Sequence, residues 1–127
     1  MNLALDTNAY RLVMEGEAHA VALVRSADRV LVPVPVLAEL RFGFLNGTRG
    51  RANEATLTRF LARARVGVLR CDEDTAVFYA ALKLQLKKQG TPIPINDVWI
   101  AALVLQHHAT LLTRDSDFAH LPQVPRA

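Results

Sequence analysis

Cysteine is almost absent: Cys71 is the only one in 127 residues, so no disulfide can close within the chain and no thiolate zinc cluster can be built from it. Lysine is scarce as well. Lys83, Lys87 and Lys88 are the only three, all in one short stretch, against twelve arginines. Long apolar runs are missing too. In the first half the longest stretch without a polar residue is Val30 to Ala38, interrupted by Pro33 and Pro35, far short of the roughly 20 residues of a membrane-spanning helix. Only Leu3, Ala4 and Leu5 lie between Asn2 and Asp6, which is not the charged and then apolar pattern of a secretion signal, so a cytoplasmic protein with no membrane association is expected. No repeat, low-complexity tract or Gly/Ser linker divides the chain, and a single domain over 1–127 is expected.

What is present is ordinary globular composition, 51% hydrophobic and 21% charged, in a chain long enough to bury a core without staples. Fifteen basic residues against twelve acidic ones give a net charge of +3, which permits a polyanionic partner without demanding one. Arg59 and Arg63, four residues apart, read as a solvated helix face opposite Leu57, Phe60, Leu61 and Ala64.

Short apolar segments alternate with stretches of helical period. Strands are expected at Asn2 to Leu5, Arg29 to Val32, Val66 to Leu69 and Ala109 to Thr113, with a last edge strand at Leu121 to Val124 bounded by Pro122 and Pro125. Helices are expected from Thr7 to about Ala27 with a break near Gly16, from Pro33/Pro35 to about Leu45, from about Asn53 to Arg65, from Asp72 to Gln89, and from Ile95 to His108. Strands joined by helical crossovers imply an α/β fold with a parallel sheet of four or five strands and helices on both faces. The functional crevice of such a sheet lies at the carboxyl ends of its strands.

Four acids occupy positions that a solvated surface does not explain. Asp6 ends the first strand and Asp115 follows the late strand Thr110 to Thr113, which puts both at the carboxyl edge of the sheet; each has an ordinary alternative as a helix cap. Asp97 heads Val98-Trp99-Ile100-Ala101-Ala102-Leu103-Val104-Leu105, apolar all round and therefore a buried helix. The helix N-terminus favours an anion there, so capping is an alternative for Asp97 as well. Glu39 lies at the edge of the stripe formed by Val36, Leu37, Leu40 and Phe44, half facing the core, where an unpaired Glu is uncommon. Gly43, one turn on, leaves bare backbone that could admit a substrate strand, although helix packing explains it equally well.

Should the four acids converge, two unit charges about 4 Å apart repel by roughly 4 kcal/mol at an effective dielectric near 20, so the cluster takes up protons or holds a cation. Oxygen-only ligands select Mg²⁺ or Mn²⁺ over zinc. The chemistry that follows is metal-assisted hydrolysis of a phosphodiester.

The order Leu5-Asp6-Thr7-Asn8, Ala38-Glu39-Leu40, Pro94-Ile95-Asn96-Asp97-Val98-Trp99-Ile100-Ala101-Ala102 and Leu112-Thr113-Arg114-Asp115-Ser116-Asp117-Phe118 closely resembles the PIN-domain ribonucleases, specifically the VapC-type toxins of toxin–antitoxin pairs. The resemblance spans essentially the whole chain. It implies a PIN-like α/β/α sandwich, with Asp6, Glu39, Asp97 and Asp115 as metal-binding acids and Asp117 as a possible fifth. Asn8 and Thr113 would position waters or acids behind them. It further implies cleavage of a cellular RNA, a homodimer, and inhibition by a VapB-type antitoxin whose tail enters the active-site groove.

Two other readings compete. Asp6-Thr7-Asn8 after a strand also resembles the aspartyl-phosphate phosphatases of the haloacid dehalogenase type, but Asn8 stands where those need a second Asp, and the three lysines share one helix. A catalytically silent binding module would lack one of the acids, and none is missing. His19, His107, His108 and His120 show no metal-ligand spacing, Trp99 reads as core, and Asp72-Glu73-Asp74 reads as a helix cap and first turn.

Overall fold

In the computed structural model, which describes residues 1–127, β1 (Asn2–Leu5) runs through α1 (Thr7–Met14) and α2 (Ala18–Ser26) into β2 (Arg29–Pro33). From there α3 (Val34–Asn46) and α4 (Gly50–Leu61) lead to β3 (Val66–Leu69). The chain continues as α5 (Glu73–Gln89), α6 (Ile95–Gln106), β4 (Thr110–Leu112) and a short 3₁₀ helix, Ser116–His120. The four strands form one parallel sheet in the order β3-β2-β1-β4. Leu3 stands opposite Val30 on one side and Thr110 on the other.

The strands are continuous apolar runs because helices cover the sheet: Leu3, Ala4, Leu5, Val30, Leu31, Val32, Leu111 and Leu112 are all buried, as a parallel sheet requires. Strand order reverses at β1. The chain steps outward from β1 to β2 to β3, then returns to place β4 on the other side of β1. The connections leaving β1 and β4 therefore diverge, and a crevice opens at their carboxyl ends.

Local signals set the helix boundaries that matter for this crevice. Pro33 closes β2 and Pro35 lies in the first turn of α3, where a missing N–H costs nothing. Asp72 caps α5 in a reciprocal box with Thr75, and Gly90 ends that helix at φ +68°, in the left-handed region that glycine enters freely. Val98 and Ile100 to Val104 of α6 are buried. Burying each large aliphatic side chain there contributes about 1.5–3 kcal/mol, which seats α6 rigidly and fixes its first turn over the crevice.

Three sequence expectations shift. α4 starts at Gly50 rather than Asn53 and ends at Leu61 rather than Arg65; its N-cap, Arg49, makes no side-chain capping bond, so the sequence carries no start signal. Within the Val98–Leu105 segment Trp99 is only half-buried; its indole stacks on Tyr79 of α5 with ring centroids 4.1 Å apart. The expected edge strand at Leu121 to Val124 is not a strand. Leu121 and Val124 are buried plugs, and the only pairing beyond β4 is a bridge between Leu111 and Arg126. Pro122 and Pro125 have no N–H to give to a ladder, so pairing waits until Pro125 accepts from Leu111 N–H at 2.8 Å and Ala127 N–H donates to Leu111 at 2.9 Å.

Candidate metal centre

The crevice is a cleft of about 710 Å³ whose walls include Asp6, Glu39, Asp97 and Asp115, so all four acids expected from the sequence meet in one place. Each arrives from a different element. Asp6 is the residue after β1, and its N–H reaches Leu112 C=O at 3.4 Å, which carries the β1–β4 pairing one step beyond the strands. Its carboxylate is divided between two tasks. Oδ1 accepts the Ala9 N–H at 2.8 Å and so caps α1, and Oδ2 accepts the Thr113 hydroxyl. Capping and site membership are thus combined in one side chain, since four lone-pair positions on a carboxylate leave room for both.

Thr113 connects two of the acids, because its Oγ1 also accepts the Asp115 N–H at 3.0 Å. Asp115 in turn caps the 3₁₀ helix by accepting the Asp117 N–H at 2.9 Å. Glu39 is half-buried and held from both sides, by the Thr7 hydroxyl on Oε2 at 3.0 Å and the Asn96 amide on Oε1 at 3.2 Å. Asp97 is the third residue of α6. It is not the cap there, as Pro94 occupies that position without a side-chain bond. Its carboxylate is free to face the cleft, within the positive end of the helix dipole.

The tightest grouping includes Asp117: one oxygen each from Asp97, Asp115 and Asp117 lie within 4.8 Å of one another. Asn8 lines the cleft but is exposed and makes no hydrogen bond to an acid; Thr7 and Asn96 hold Glu39 instead. Neither was singled out from sequence, although each sits beside a motif acid. Arg11, Phe42, Ile95 and Ile100 also line the cleft and were not foreseen. Lys83, Lys87 and Lys88 all lie on α5 and none lines the cleft, which removes the phosphoryl-contacting lysine that a phosphatase of the dehalogenase type needs.

Electrostatics match the crowding. Burial pushes the Asp97 carboxyl up, with repulsion from Asp115, Glu39, Asp117 and Asp6 adding to it, from 3.8 to about 7. Burial also raises Asp6, opposed by the hydrogen bonds from Thr113 and Ala9 and helped by the charges of Asp115 and Glu39. A crowd of carboxylates, two of which, Asp6 and Asp97, resist ionisation, open to solvent and free of cysteine and histidine, fits a hard divalent cation, whose charge reverses the repulsion.

A small parallel α/β domain with an oxygen-only acidic centre at its switch point is the architecture of a PIN domain, and the PIN domain family model matches residues 3–124. The chain belongs to that family. Within it the chain falls among the VapC ribonucleases. It is 34% identical over 117 residues to Ribonuclease VapC5 of Mycobacterium tuberculosis, covering 92% of this chain and 85% of the relative. Its fold is similar to VapBC-5 of M. tuberculosis, a member of the VapBC family of toxin–antitoxin systems, at TM-score 0.75 and 31% identity, over 99% of this chain and 95% of that one. It is also similar to VapBC-1 of nontypeable Haemophilus influenzae, at TM-score 0.85 and 28% identity, over 100% and 97% of the two chains.

Proposed function

We propose that this protein is the toxin of a toxin–antitoxin pair, an endoribonuclease that hydrolyses RNA phosphodiester bonds with Mg²⁺ or Mn²⁺. Asp6, Glu39, Asp97 and Asp115 would hold the ion, with Asp117 contributing a further oxygen. The observation that carries the reading is the meeting of these acids in one cleft with no other ligand type. A bound divalent cation offsets the charge of a phosphate and acidifies water for attack on phosphorus.

The protein's own residues do the rest. Ala9 N–H and Thr113 fix the Asp6 carboxylate, and Thr7 and Asn96 fix Glu39, so the acids are oriented before any ligand arrives and little reorganisation is needed. With its pKa at about 7, Asp97 holds a proton for much of the time at neutral pH until a cation displaces it, which couples loading to proton release. Supporting the partner reading, the similar M. tuberculosis structure belongs to a toxin–antitoxin family; a VapB-type antitoxin occupying this cleft would silence the enzyme in the cytoplasm, where its RNA substrate lies.

A homodimer belongs to the same proposal. Leu57 and Phe60 of α4 are buried, and the exposed large apolar side chains include Val34 and Leu45 on the neighbouring α3 and Val77, Phe78 and Leu84 on α5. The test of the activity is cleavage of total cellular RNA with added Mn²⁺ and with excess EDTA. Cleavage that needs the metal and is lost in Asp97→Ala is expected. Cleavage that persists in EDTA, or is equal in the variant, would overturn the mechanism.

A further inference from the structure

Arg11 lines the acidic cleft and yet pairs with none of its carboxylates. The ion pairs of the chain join Met1 to Asp28, Arg41 to Glu54 and Arg114 to Glu17, and the Arg11 guanidinium makes no hydrogen bond to any of these groups. It lies over Gly43 instead: a methyl group built on Gly43 would stand 3.6 Å from Arg11 Nη2. Arg11 follows Thr7 by about one turn of α1, roughly 6 Å of rise along the same face, and Thr7 is the residue that holds Glu39 at 3.0 Å. A free cation therefore stands one helical turn from the acids on a shared wall. Next to it, α3 presents the bare backbone of Gly43 and the ring of Phe42, which is 70% exposed and lines the cleft.

We propose that Arg11 and Phe42 are the positioning residues for a single-stranded RNA substrate. Arg11 takes a phosphate adjacent to the one at the acids, and Phe42 stacks against an unpaired base. The inference rests on the ribonuclease reading and says how that site holds its substrate. A cleft walled by carboxylates repels a polyanion everywhere except at a bound cation and at Arg11. The guanidinium fork matches phosphate oxygens in two parallel hydrogen bonds. An exposed aromatic ring is a sequence-tolerant platform for a base that is not already stacked in a duplex, so single strands are preferred over paired RNA.

The experiment is steady-state cleavage, in Mn²⁺, of a labelled single-stranded oligoribonucleotide of mixed sequence and of a hairpin carrying the same bases in its stem. Wild type is compared with Arg11→Ala, Arg11→Lys, Phe42→Ala and Phe42→Tyr, all exposed positions, with Mn²⁺ affinity measured alongside by calorimetry. Arg11→Ala should raise KM about tenfold with kcat within about twofold, and flatten the dependence of log(kcat/KM) on log salt by about 0.7, as loss of one single-strand phosphate contact does. Arg11→Lys should recover part of KM. Phe42→Ala should raise KM several-fold on the single strand with the salt slope unchanged, and Phe42→Tyr should restore it. Mn²⁺ affinity should stay within about twofold throughout, as expected of residues that do not touch the ion. Wild-type KM and salt slope in both alanine variants would overturn the assignment, as would an effect confined to inhibition by a bound protein partner. Inactivity of the wild type on every RNA would instead defeat the ribonuclease reading itself.

Discussion

Replacing Asp97 by Asn should make the metal-free protein more stable, and only at neutral and alkaline pH. The native carboxyl titrates at about 7 against an ordinary 3.8, so the native state binds a proton that the unfolded chain has released. Stability therefore falls as pH rises from about 4 to about 7 and levels off above that. Holding the group ionised in the folded protein costs about 4 kcal/mol by that difference. Asp97 is only half-buried at the cleft wall, and screening by solvent reduces this to about 2 kcal/mol. The charge also gains from the positive end of α6, and losing that contact takes back about 0.5 kcal/mol. A net gain of about 1.5 kcal/mol corresponds to roughly 6 °C in Tm for a domain of this size. Thermal unfolding followed by circular dichroism in EDTA would read it: the Asn variant should melt higher at about pH 8 and level with wild type at about pH 4, as the linkage requires. Equal Tm at both pH values, or a gap that does not change with pH, would refute the crowded-carboxylate account. Added Mn²⁺ should raise the wild-type Tm and leave the variant nearly unmoved.

Thr113→Val keeps the shape but removes the donor to Asp6 and the acceptor for Asp115 N–H; chemical denaturation should show a loss of about 1–3 kcal/mol, with weaker Mn²⁺ binding by calorimetry. Expression without an antitoxin should arrest growth, and Asp6→Asn should relieve the arrest while the purified variant still melts cooperatively; equal arrest by both forms would count against a metal-dependent toxin. Light scattering should give a particle of twice the 14.0 kDa chain mass, and Leu45→Glu or Leu84→Glu should locate the contact on α3 or α5 by dissociating it. A dimer that survives both changes would remove those faces from the proposal.

The positions of the acids could be read from sequence because each is set by a short-range rule. Asp6 and Asp115 are placed by the ends of apolar strands, Asp97 by the start of an apolar helix, and Glu39 by its angle from the Val36, Leu37, Leu40 stripe. The sheet order followed less directly, since helical crossovers imply parallel strands but not that β4 returns beside β1. What could not be read is set by side-chain geometry between distant segments. Thr7 and Asn96 meet on Glu39 across 32 and 57 residues of chain, and no local pattern encodes that meeting. Arg11, the one arginine of α1, belongs to no motif in the sequence; only the packing of α3 against α1 brings Gly43 beneath it. The edge pairing at Arg126 was misplaced because Leu121 to Val124 has the apolar content of a strand, while its prolines divert those side chains into the core.

Titration calorimetry of Mn²⁺ into the wild type and into the Asp6→Asn, Asp97→Asn double variant tests the central claim most directly. The account predicts saturable binding to the wild type, with net proton release near neutral pH as Asp97 is displaced from its proton, and an affinity at least about a hundredfold lower in the double variant, the scale of losing two charged ligands. Unchanged Mn²⁺ affinity in a double variant that remains folded would contradict it.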